Sequence, residues 1–214
     1  MRKEFVYRWI FFFIGIMILG LGIALTIKGK RFGVGSWDVL HIGLFKNFGL
    51  SIGTWSILVG IIVIIIASIG LREFPRTGTF MNMVFVGLFI DFFNLIIPNP
   101  TIFLLELICF ILGIVFLAMG TGIYISADLG AGPRDSLMLL IVKKLKMSLR
   151  TTRTIMEVSV AIAGFLLGGP IGIGTVIMAF AVGPVMQTVF GYSKNMLDSL
   201  IANKQLSKYG TKDL

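Results

Sequence analysis

Gly33-Val34-Gly35-Ser36-Trp37-Asp38 and Gly130-Ala131-Gly132-Pro133-Arg134-Asp135 open two copies of one segment, 97 residues apart. Each follows an apolar run with its own glycine pair, Gly20-Leu21-Gly22 before the first and Gly120-Thr121-Gly122 before the second. The register continues past the motif. Leu40 pairs with Leu137, Ser51 with Ser148 and Thr54 with Thr151. At a spacing of 96, Gly78-Thr79 pairs with Gly174-Thr175, and Gly87 with Gly183. One unit used twice in an apolar chain is the pattern of a duplicated, transporter-like membrane protein.

Composition supports that class. Of 214 residues, 57% are hydrophobic and only 14% charged, with 26 glycines, which suits a polytopic helical membrane protein rather than a soluble domain. The single Cys109 excludes an internal disulfide. The net charge of +9 is read as basic residues at helix ends; no soluble domain remains to bind nucleic acid. Metal-site signatures are missing: there is no HExxH and no Cys/His pair at metal spacing, and His is used once. No catalytic residue, metal or cofactor is therefore expected.

Six apolar spans of about 20 residues each are predicted. They run from Trp9 to Ile27, Leu50 to Leu71, Thr77 to Ile97, Ile102 to Ala127 and Thr151 to Leu167, with a sixth ending near Tyr192. Pro98-Asn99-Pro100 and Gly168-Gly169-Pro170 make tight turns between them. The first span is read as permanent, since no small-x-small cleavage site follows it. If the N-terminus is cytoplasmic, 15 of the 19 Lys and Arg residues fall inside, so both termini are expected there. The predicted fold is all-α. It has six transmembrane helices in two inverted three-helix repeats, 1–97 and 98–193, and a polar tail, 194–214. A short interfacial or re-entrant helix follows each Gly-x-Gly motif, the first at the outer face and the second at the inner.

The motif helices carry the first candidate site. Gly33, Gly35, Gly130 and Gly132 allow tight turns and close approach. Ser36 and Pro133 suit a helix start, and Asp38 and Asp135 fall in the first turn. Such a helix N-terminus either receives an anionic group or is simply capped by its own Asp. Arg134 lies between Pro133 and Asp135 in the second motif, and His41 one turn after Asp38 in the first. Within the spans, Asp91 is the expected proton or cation site, with Gln187 as its polar counterpart, both facing inward. Glu157 is expected to pair with Arg153 at i−4, and Pro184 to kink the sixth span.

The stretch from Gly33 to Leu44 and the stretch from Gly130 to Leu137 resemble the YczE/YyaS/YitT-like bacterial integral membrane proteins, with a likeness reaching to about Tyr192. The resemblance implies a protein of the bacterial cytoplasmic membrane with no established catalytic residues. The leading expectation is a secondary transporter or exporter of a small organic molecule, with the two motifs at the ends of a path and Asp91 inside it. The alternative is a membrane accessory protein that regulates a cytoplasmic enzyme or synthase through the basic Lys143–Arg153 stretch. The lipid bilayer is the one partner common to both.

Overall fold

The computed structural model describes residues 2–130 and 132–209; Ala131 of the second motif and residues 210–214 of the expected tail lie outside them. The described residues form eight α-helices and no strand: α1 (Arg2–Lys28), α2 (Ser36–Phe48), α3 (Ile52–Leu71), α4 (Thr77–Ile96), α5 (Phe103–Ser126), α6 (Pro133–Leu145), α7 (Leu149–Leu166) and α8 (Ile173–Tyr209). Five of them, α1, α3, α4, α5 and α8, are long and apolar enough to cross a membrane. Residues such as Ile65, Ile69, Leu95 and Phe180 lie exposed along these helices, as a lipid-facing surface requires. The fifth expected span, α7, falls short because Arg150, Arg153 and Glu157 interrupt its apolar face. The expected polar tail begins within a helix. Helix α8 continues to Tyr209, and Pro184 sits inside it without ending it.

Helix boundaries follow local chemistry. Ser51 and Ser148 each cap a helix by accepting the backbone N–H three residues on, from Thr54 and Thr151. Pro133 occupies the first turn of α6, where its missing N–H costs no hydrogen bond. Helices α2 and α6 are both 13 residues long.

Antiparallel α1 and α5 form the central pair. A Cβ on Gly22 would come 2.7 Å from Leu117 Cα, and one on Gly120 would come 2.6 Å from Leu19 Cα. The two backbones therefore touch along a seam that only glycine permits. Phe12, Ile16, Ile23 and Tyr124 fill the core beside it.

Side-chain contacts fix which way each helix runs. Arg8 donates to the carbonyl of Ala127 at 3.0 Å, which sets the start of α1 beside the end of α5. At the opposite end, Lys28 Nζ reaches Asn94 O and Asn99 Oδ1. We refer to these as the near and far ends. Helix α2 enters from the far end, where the chain leaves α1, but starts at depth, with Gly35 beside Met178. It then runs back to the far end, where Lys46 and Asn47 donate to the carbonyls of Gly168 and Leu167. Helix α6 does the reverse. It starts with Gly132 beside Asn82 and Tyr124 and returns to the near end, where Lys143 meets Glu73.

The packing is crossed. Helix α2 lies on α7, where Gly164 faces Leu40, and α6 lies on α3, where Gly70 faces Leu140. Gly33 (φ 109) and Gly130 (φ 145) make the turns before the motif helices. Each seats against a threonine, Gly33 near Thr175 Oγ1 and Gly130 near Thr79 Oγ1. A side chain at either would be strained by backbone and neighbour alike.

Candidate functional site

Because both motif helices start at depth, their first turns converge near the middle of the bundle. Arg134 Nη2, from the second motif, lies 3.9 Å from Asp38 Oδ1 of the first. Its guanidinium also sits 5.0 Å from the centre of the Trp37 ring. The expectation that the two motifs occupy opposite faces is thereby corrected. Their loops enter from opposite ends, but their helix N-termini meet.

A cavity of about 170 Å³ lies at this meeting point, walled by Leu19 and Ile23 of α1 and by Leu117, Thr121 and Tyr124 of α5. Its polar lining comes from Trp37, His41, Asn82, Arg134, Asp135, Arg153 and Glu157. A wider groove of about 540 Å³ opens beside it toward Glu73, Arg76 and Asp128 at the near end. Thr121, Asp135, Met138, Arg153 and Met186 border both, so this groove is a vestibule to the cavity.

The first-motif side is closed. Asp38 and His41 are 1% and 2% exposed, and His41 Nδ1 stands 3.5 Å from Asp38 Oδ1. Burial holds His41 below its ordinary pKa of 6.5, while the neighbouring Asp38 pulls the other way. His41 is thus only half satisfied: the contact with Asp38 is within ion-pair reach but makes no hydrogen bond. The second-motif side is open. Asp135 is half-buried at the junction of vestibule and cavity. Burial raises its carboxyl above the ordinary 3.8, opposed by Arg153, Arg134, the Gly132 N–H and the Tyr124 hydroxyl.

Three buried donors beside the cavity lack a hydrogen-bond partner: Trp37 Nε1, His41 Nδ1 if protonated, and Asn82 Nδ2. Unpaired buried polar groups are costly, and a cavity edge is where a solute or water would satisfy them.

Other expected site residues lie elsewhere. Asp91 accepts from Ser51 Oγ and, at 2.8 Å, from the Gly53 N–H. It ties α4 to the start of α3 toward the far end, outside the cavity, because a carboxylate there satisfies the free N–H groups of a helix start. Gln187 is exposed rather than inward-facing. Gly33 serves helix packing and Gly35 accommodates Asp38, while Gly130 borders the vestibule and Gly132 the cavity. The expected Glu157–Arg153 ion pair does not form among the described residues.

Trp37, Asn82 and Tyr124 join the site although they were not among the expected site residues, and Arg153 joins it although it was read as an ion-pair partner and the end of a basic stretch. Trp37 carried a signal by lying inside the motif. Among the described residues no cluster of three His, Cys, Asp or Glu could hold a metal.

Comparison with known proteins agrees with this membrane architecture. The chain is 42% identical over 204 residues to the uncharacterized membrane protein YczE of Bacillus subtilis (strain 168), covering 95% of each. It is 33% identical over 187 residues to the uncharacterized protein YyaS of the same organism, covering 86% of this chain and 92% of YyaS. It is also 35% identical over 174 residues to an uncharacterized protein of Haemophilus influenzae, covering 80% and 78%. No solved structure matches. The DUF6198 family model, a family of unknown function, matches residues 6–191, and this chain, a multi-pass membrane protein, belongs to that family.

Proposed function

We propose that the protein is a secondary transporter or exporter of a small organic molecule in the bacterial cytoplasmic membrane, folded as two inverted repeats and held here in a cytoplasm-facing state. The observation that carries this reading is the central cavity with its charged and polar groups, which adjoins a vestibule at one end and abuts a closed Asp38–His41–Arg134 cluster on the other side. Convergent helix N-termini at the midplane between repeats are the arrangement that substrate sites of such proteins use.

The repeat reading draws support from element starts spaced alike: Ser36 and Pro133, Ile52 and Leu149, Thr77 and Ile173. The crossed packing of α2 on α7 and α6 on α3 is what a pseudo-two-fold axis would produce. Helix α7 serves as the fifth of six spans, its charged face turned to the cavity through Arg153 and Glu157 rather than to lipid. The near end carries Arg8, Arg76 and Lys143–Arg153, so the basic-residue rule makes it cytoplasmic.

The accessory reading has the exposed Lys144, Lys146 and Arg150 in its favour. A packed, dry centre would have favoured it further; the cavity argues for passage instead.

The test is cysteine accessibility in a Cys109→Ala background, using a membrane-impermeant maleimide on vesicles of known orientation. Ser136→Cys in the vestibule and Asn82→Cys in the cavity are expected to label from the cytoplasmic side. Labelling of 136 from outside would overturn the orientation. Labelling of 136 without any labelling of 82 would return the centre to a packed core and move the accessory reading ahead.

A further inference from the structure

Two opposite charges on one face of α7 are left without each other. Arg153 and Glu157 stand at i and i+4, a spacing at which such side chains ordinarily pair. Both line the cavity, yet neither makes an ion pair within 4.0 Å among the described residues. The other charged groups facing them are already committed. Arg134 is set against Asp38 and stacked on Trp37. Asp135, half-buried at the α6 start, faces Arg153 and Arg134 beyond ion-pair distance as well as the Gly132 N–H and the Tyr124 hydroxyl, and burial moves it toward its neutral form. His41 is turned to Asp38 and held toward its neutral form. One positive and one negative group thus line the cavity without an ion pair within 4.0 Å, about one helical turn apart, with Asp135 the charge that acts on Arg153.

The rest of the lining fits the same ligand. Trp37 Nε1 and Asn82 Nδ2 are buried donors without partners, suited to carboxylate oxygens. Val59, Val63, Val86, Met83 and Met156 supply an apolar wall. A volume of about 170 Å³ is slightly larger than the ~150 Å³ cavity known to hold one benzene, which limits the ligand to roughly ten heavy atoms.

Resting on the transport reading above, we infer that the cavity takes a small zwitterion of amino-acid size, with Arg153 receiving its anionic group, Glu157 its cationic group and the Val/Met wall its side chain.

The test uses the purified full chain in detergent with Trp9→Phe and Trp55→Phe, leaving Trp37 as the sole tryptophan reporter. L-leucine, L-valine and L-proline are titrated as zwitterions, alongside 4-methylpentanoate and 3-methylbutylamine, which keep leucine's side chain but only one charge. At least one zwitterion is expected to shift Trp37 emission saturably, with the single-charge analogues at least tenfold weaker. Glu157→Gln should weaken the zwitterion at least tenfold and erase its advantage over 4-methylpentanoate; Arg153→Gln should erase its advantage over the amine. Glu157→Asp, with an unchanged gel-filtration profile, should retain part of the affinity and so separates ligand contact from misfolding.

The inference is overturned if no zwitterion shifts the emission, if a single-charge analogue binds as well, or if Glu157→Gln leaves affinity unchanged. Counterflow of the bound zwitterion in proteoliposomes separates the two claims. Binding without flux keeps the zwitterion site and sinks transport, whereas flux of a singly charged solute keeps transport and sinks this ligand class.

Discussion

Helices α2 and α6 start from the same motif and have the same length, yet they live in different surroundings. In α2, Trp37, Asp38, Val39, His41, Ile42 and Gly43 are all buried; in α6, only Leu140 is. The first seals its side of the cavity against α7 with backbone-to-backbone contacts, and the second leaves a vestibule between itself, α3 and α5. A duplicated unit thus need not sit in duplicate environments. In the transport reading, the difference between them is the difference between a shut and an open gate, and a mirrored conformation would exchange their roles.

The largest test of that contrast strikes the sealed seam. Gly164→Val would drive a side chain into the Leu40 backbone, which cannot give way, and we expect loss of monodisperse protein on gel filtration. The corresponding Gly70→Val on the α6 side meets only the tips of the Leu140 side chain, which can rotate. It should cost about 1–3 kcal/mol and stay folded. Equal losses would remove the contrast.

The paired aspartates should respond in opposite directions. Asp38→Asn strips Arg134 and His41 of the carboxylate charge they share and should destabilise by about 1–3 kcal/mol, below the full buried-pair range because Arg134 is 41% exposed. Asp135→Asn should raise the Tm at pH 7.5, since it removes a carboxylate whose charged form burial disfavours. The sign follows from linkage: the folded pKa lies above 3.8, so the penalty grows as pH rises through that value and vanishes below it. The Asn advantage should therefore disappear in thermal melts below about pH 3.8. The wild type should lose stability as pH falls through 6.5, where unfolded His41 takes a proton that the folded site resists.

Amide hydrogen exchange sharpens the comparison without mutation. The α6 amides are expected to exchange at least about tenfold faster than the equivalent α2 amides, because vestibule water reaches them. Matched rates would argue that the vestibule is closed in solution.

The smallest effect separates the two serine caps. Ser148→Ala should cost about 0.5–1 kcal/mol, as an exposed cap does. Ser51→Ala should cost about 1–3 kcal/mol, because Asp91 also loses its hydroxyl donor. Denaturation in matched detergent would resolve the two.

The pattern of residues made the repeat spacing, the turns and the helix starts legible, because Gly-x-Gly-Ser and Gly-x-Gly-Pro are local chemistry. Depth was not legible. A 13-residue amphipathic helix reads alike whether it lies along a surface or points its first turn inward, and only the distant partners Met178 and Asn82 settle the direction. Asp91 read as a midspan charge because its acceptor role depends on Ser51, forty residues away. The reverse held for α7, whose charges suggested a pair by spacing alone, while the tertiary fold turns both toward the cavity.

The crossed packing also sets an order in time. Leu40 finds its seat only when Gly164 exists, and on the order of ten seconds of synthesis separates them. For most of that interval Asp38 and His41 also lack the second motif that helps to enclose them, so the first half must wait in the bilayer unfinished. Quality control acting on such a nascent chain would see every early truncation as an incomplete protein, and a surviving fragment ending before α7 would leave the Leu40 face of α2 uncovered.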